Sequence, residues 1–99
     1  MQEDHVSMGW NAARKLRRSV DGLARVLAVE VLTAARALDL RAPLAPAPAT
    51  AAVVALLRGR GVEGPGPDRY LSPEIETTVD LVLDGAVRAA AEQVTGPLA

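Results

Sequence analysis

The stretch AARKLRRSVDGLARVLAVEVLTAARALDL, residues 12–40, decides how this chain is read. Leu16, Val20, Leu23, Leu27, Val31, Ala34 and Leu38 recur at steps of four and three, the spacing that lines one face of an α-helix. Val26, Leu32 and Ala35 widen that face, as expected of a helix with more than one helical neighbour. No proline interrupts before Pro43, Ser7 can cap the start, and Gly22 is a tolerated weak point of about 1 kcal/mol. The spacing predicts one helix over 7–40.

Such a helix is about 50 Å long at 1.5 Å per residue. A compact chain of this size has a radius of gyration near 13 Å, hence a diameter of about 33 Å. A chain of 99 residues therefore cannot cover its own longest helix. The expectation is an apolar stripe buried by other protein, in an oligomer or a larger assembly.

Working outward, RAPLAPAPA (41–49) reads as a proline-stiffened connector, and Thr50 as the N-cap of a short helix over 50–60 that Gly61 stops. GVEGPGPDRYL (61–71) is a loop by its Gly-Pro alternation. Ser72-Pro73, with Glu74 and Glu76 in the first turn, starts a helix over 72–95. Ile75, Val79, Val82, Ala86 and Ala90 carry its periodicity, and Asp84-Gly85 marks an interruption point. The fold class expected is all-α: one very long helix followed by two or three shorter ones, part of an oligomeric helical bundle. There is no Phe, one Trp and one Tyr, so the core must come from Leu, Val and Ala, which suits close helix packing.

Composition narrows the function. Net charge is −1, and a basic first half faces a more acidic second half, which gives no electrostatic case for nucleic acid or an anionic membrane. Cysteine is absent, removing disulfides, thiolate metal sites and cysteine nucleophiles. No apolar run approaches a membrane span and the start is acidic, the wrong sign for a secretory signal, so the expected location is cytoplasmic. The basic run Arg14, Lys15, Arg17, Arg18 is read as a solvated or inter-subunit face, and His5, the single histidine, has no spaced partner for metal binding or catalysis. Trp10 reads as a core or wall residue; Asp68, Arg69 and Tyr70 pair locally or across an interface, with no chemical role assigned.

QEDHVSM (2–8), the long helix and GPGPDRYLSPEIE (64–76), in this order, closely resemble the C-terminal part of bacterial histidine ammonia-lyases, within the family of aromatic amino acid ammonia-lyases and aminomutases. The resemblance implies a mostly α-helical tetramer whose active sites are assembled from several subunits. It also implies an electrophile, methylidene-imidazolone, formed within the polypeptide from Ala-Ser-Gly in place of an external cofactor. The implied reaction takes L-histidine to trans-urocanate and ammonia.

By this resemblance Glu3 is the active-site glutamate beside the substrate side chain, both catalytic and substrate-binding, and Gln2 is its substrate-orienting neighbour. A carboxylate accepts a hydrogen bond from imidazole N–H and stabilises the charged ring better than the Gln found in relatives acting on phenylalanine or tyrosine. Without the resemblance, Glu3 and Asp4 read as acids favoured at a helix N-terminus, and Asp4 keeps that reading.

Ala-Ser-Gly occurs nowhere in the 99 residues, so the chain itself carries no cofactor precursor and is expected to be inactive alone. Met1 stands where the family usually has Asn, which implies a truncated gene, a split enzyme or a fragment, with a missing N-terminal lyase portion or further copies as partners. The competing expectation is a non-catalytic helical oligomerisation module.

Overall fold

The computed structural model describes residues 8–99. Its order is α1 (Gly9–Leu40), α2 (Pro48–Gly59), α3 (Ser72–Leu83) and α4 (Ala86–Thr95). Among the described residues there is no strand, and the fold is all-α. No helix of the described residues is long and apolar enough to cross a membrane.

α1 is a single helix of 32 residues, about 48 Å at the usual rise. It makes the molecule a rod-and-clasp, 69 × 37 × 19 Å with a radius of gyration of 18.3 Å. That radius is well above the ~13 Å of a compact chain of this length. α1 packs on α3, α2 packs on α4, and α3 meets α4 at their shared turn.

The face that α1 buries is not the Leu-Val stripe. It is Ala24, Ala28, Leu32 and Ala35, about a quarter-turn around the helix. Three of these four are alanines, so α1 can lie close against α3. Leu32 and Ala35 join Leu57, Val62 and Leu81 in a small buried core, with Ile75, Val54 and Val87 packed around it. Every residue from Gly9 to Leu23 is exposed, so roughly the first four turns of α1 project beyond the clasp.

The starts of α1 and α2 differ from the sequence expectation of 7 and 50: α1 begins at Gly9, with Met8 as its capping residue. α2 begins at Pro48, not at Thr50, and the capping residue is Ala47. Proline fits the first helical position because its missing N–H has no partner there and its φ is already helical. The Ala51 amide closes the first turn on the Ala47 carbonyl at 2.8 Å. At α3, Leu71 occupies the N-cap, Ser72 lies inside the helix, and no side chain caps it.

α2 ends in a Schellman motif. Gly61 has φ +82°, the Val62 amide donates to the Leu57 carbonyl at 3.0 Å, and the Gly61 amide donates to Arg58 at 3.3 Å. Leu57 and Val62, the apolar pair that accompanies this motif, are both fully buried. Asp84 and Gly85 separate α3 from α4. Gly85 adopts φ +80°, and the Asp84 Oδ1 accepts the first amide of α4, that of Ala86, at 2.9 Å.

Candidate functional site

Gln2 and Glu3, the residues expected to meet substrate, lie outside the described residues, as do Asp4, His5 and Ser7. The structure does describe the helix into which they lead. Trp10 is 77% exposed on its first turn, and a shallow groove of about 290 Å³ runs along Trp10, Ala13, Arg14 and Arg17. Arg14, Lys15, Arg17 and Arg18 are all exposed, and none forms an ion pair with another described residue. Four cations within five residues near a helix N-terminus are disfavoured by the helix dipole and by their own i,i+3 and i,i+4 repulsion.

Two guanidinium clasps brace the chain, one holding the far end of α1 and one holding the 61–71 loop to α3. Arg58 on α2 donates one Nη to Asp39 on α1 and the other to the Val62 carbonyl at 2.7 Å, joining the ends of both helices to the Schellman turn. Gly64 lies against that pair: a Cβ there would come within 2.6 Å of Asp39 Oδ2.

Arg69 makes the second clasp. Its Nε donates to Glu74 Oε2 at 2.7 Å and its Nη2 to Oε1 at 2.9 Å, a two-pronged pair. The same Nη2 reaches the carbonyls of Glu63 at 3.2 Å and Gly64 at 3.1 Å, while the Glu63 amide donates back to Glu74 Oε1 at 2.8 Å. The Arg69 hydrogen bonds, aided by the Glu63 amide, hold the Glu74 carboxyl below the usual carboxylate range against the opposing effect of desolvation. Glu74, read from sequence as a helix-dipole acid, is the latch of the 61–71 loop. The signal was present in the Arg-x4-Glu spacing, but a five-residue gap across a loop and a helix start fixes no geometry in advance.

The remaining chemistry among the described residues is structural. Hydroxyls are spent on backbone: Ser19 on Lys15, Thr78 on Glu74 and Thr95 on Ala91. No group of three His, Cys, Asp or Glu among the described residues is placed to hold a metal ion.

The most extensive surface feature is the stripe that the sequence displayed. Leu16 is 66% exposed, Leu23 57%, and Val20 and Leu27 are also exposed. Farther along the same face, Val31, Ala34 and Leu38 line an open apolar groove of about 260 Å³ with Val53 and Leu57 of α2 and Ala91 of α4. The stripe is thus bare from Leu16 to Leu27, while Val31 and Leu38 are half-buried, Val31 against the core.

Comparison with known proteins gives the family. The model for the aromatic amino acid lyase family matches residues 1–59. The chain belongs to the aromatic amino acid lyase family. This lyase chain is 58% identical over 99 residues to a histidine ammonia-lyase of Streptomyces avermitilis and 61% identical over 101 residues to one of Streptomyces griseus, both covering all of the chain. With the Streptomyces coelicolor histidine ammonia-lyase it shares 62% identity over 98 residues, 99% of the chain. The lyase chain spans about a fifth of the length of these curated relatives, 19%, 20% and 19%, and matches only their C-terminal part. No solved structure matches the chain.

Proposed function

We propose that this chain is the C-terminal helical segment of a histidine ammonia-lyase, working in the cytoplasm as part of a larger assembly. The observation that carries the proposal is the identity of about 60% with histidine ammonia-lyases across the whole chain. In the reaction the Cα–N bond and a Cβ–H bond of L-histidine break, a Cα=Cβ double bond forms, and ammonia leaves with trans-urocanate as the other product. Glu3 accepts a hydrogen bond from the substrate imidazole, and Gln2 orients the same site. The rod of α1 carries that motif to the pocket, and neighbouring helices of the assembly cover its stripe.

The chain has no Ala-Ser-Gly, so its residues do not fit the electrophile's precursor, and the electrophile belongs to protein outside this chain. The purified chain mixed with L-histidine is therefore expected to develop no urocanate absorbance. The decisive test is a chimaera in which this chain replaces the matched C-terminal part of the Streptomyces griseus enzyme. Activity on L-histidine, reduced at least tenfold by Glu3→Gln, supports the proposal; an inactive chimaera overturns it.

The outward stripe favours a second reading, a helical association module without chemistry. In that case Glu3→Gln changes nothing measurable in any context, while charge placed on the stripe disrupts self-assembly.

A further inference from the structure

Tyr70 is 81% exposed, more than any other large apolar or aromatic side chain among the described residues. Its mount is unusually fixed. Arg69 before it is held by Glu74 and by the carbonyls of Glu63 and Gly64. Leu71 after it is half-buried and caps α3, its carbonyl accepting the Ile75 amide at 3.0 Å. Arg69 and Leu71 are both half-buried, while the ring between them stands in water. Pro65 and Pro67 stiffen the approach.

A large aromatic held in water on a rigid loop forgoes its own burial, yet binding it costs little conformational entropy. Tyrosine in that position is the usual anchor of an interface, because the ring supplies apolar area and the phenol supplies direction. Asp68, two residues earlier and exposed, adds a negative charge to the same loop. A matching surface therefore has an apolar pocket, a hydrogen-bond acceptor at its floor and a cation at its rim.

Of five grooves on the described residues none meets all three demands; the one beside Arg36 has cations but is walled by Arg36, Asp68 and Arg69 and is not apolar. The groove between α1 and α2 is apolar but carries no cation; the Trp10 groove carries Arg14 and Arg17 but offers only donors to the phenol. The groove beside Leu44 presents Asp39, which would face Asp68 with like charge, and the one beside Gln93 has no cation. A second copy of this chain is thus a poor occupant. The relatives, by contrast, are about five times as long as the chain, so most of a lyase polypeptide lies outside it.

We propose that Tyr70 is a preformed anchor that seats in an apolar, acceptor-floored pocket of the lyase portion outside this chain, with Asp68 meeting a cation at the rim. This inference rests on the functional reading above.

The test compares Tyr70 in the free chain and in the Streptomyces griseus chimaera, by hydroxyl-radical footprinting read by mass spectrometry. The expected result is at least fivefold lower reactivity of Tyr70 in an active chimaera than in the free chain. Tyr70→Ala is expected to lower the melting temperature of the chimaera while leaving that of the free chain unchanged, with Tyr70→Phe intermediate in the chimaera. An active chimaera in which Tyr70 stays as reactive as in the free chain overturns the anchor alone. An inactive chimaera overturns the functional reading and the anchor with it. Concentration-dependent protection of Tyr70 in the free chain assigns the ring to copy–copy contact and also overturns the proposal.

Discussion

Gly64 approaches Asp39 so closely that a single added methyl would lie 2.6 Å from the carboxylate oxygen that Arg58 holds. A loop residue is thereby packed against the ion pair joining the ends of α1 and α2. Gly64→Ala must push the Asp39 carboxylate aside and weaken that pair. The pair is partly exposed, so the expected loss is about 1 kcal/mol. Urea denaturation of Gly64→Ala, Asp39→Ala and the double variant checks this: the double variant should be less destabilised than the sum of the two, because both act through one contact.

The latch on the 61–71 loop predicts a pH dependence. Glu74 has its folded pKa lowered, chiefly by the Arg69 hydrogen bonds. A depressed carboxylate contributes stability that is fully present above its unfolded value, about 4.3, and that is lost as pH falls through the folded value. Melting temperature should therefore be steady from neutral pH down to about 5 and then fall with acidification. Glu74→Gln should lower the melting temperature at neutral pH and flatten that fall. An acid limb of equal steepness in the variant would show that the clasp contributes nothing to it.

Ala28 is fully buried on the face of α1 that meets α3. A larger side chain there has to separate the two helices. Ala28→Leu is expected to cost about 1–3 kcal/mol despite adding apolar surface. Leu16→Ala, on the projecting part of the same helix, should stay within about 0.5 kcal/mol in the free chain. Chemical denaturation of both variants measures the contrast.

Leu23 lies midway along the exposed stripe. Leu23→Asp should leave the helical circular dichroism and the melting temperature of the dilute free chain unchanged, since the side chain already faces water. In the active chimaera it should dissociate the assembly, seen by light scattering as a fall in mass. An unchanged mass would mean that the stripe is not covered there.

What is legible in the sequence and what is not divide along a physical line. The interruption at Asp84-Gly85 and the stop at Gly61 are local events, because a left-handed φ is a property that glycine brings by itself. α2 starts two residues before Thr50 because proline, a breaker inside a helix, is a former at its first turn. The role of Arg69 could not be read, because the carbonyls of Glu63 and Gly64 that it gathers come together only once the loop has folded. The site residues Gln2 and Glu3 were named through resemblance alone, and they stand outside the described residues.

The sequence by itself determined that α1 is one continuous helix, that its length exceeds what so small a chain encloses, and to which family it belongs. Those are matters of local periodicity, rise per residue and motif order. Only the tertiary structure decided which face of α1 the chain keeps for itself. Periodicity points to the bulkiest stripe, but helix packing selects the face that permits close approach, and here that face is Ala24, Ala28 and Ala35 with Leu32. The stripe from Leu16 to Leu27 is left exposed as a consequence, because α3 packs on the alanine side of the rod and the clasp reaches only half of its length.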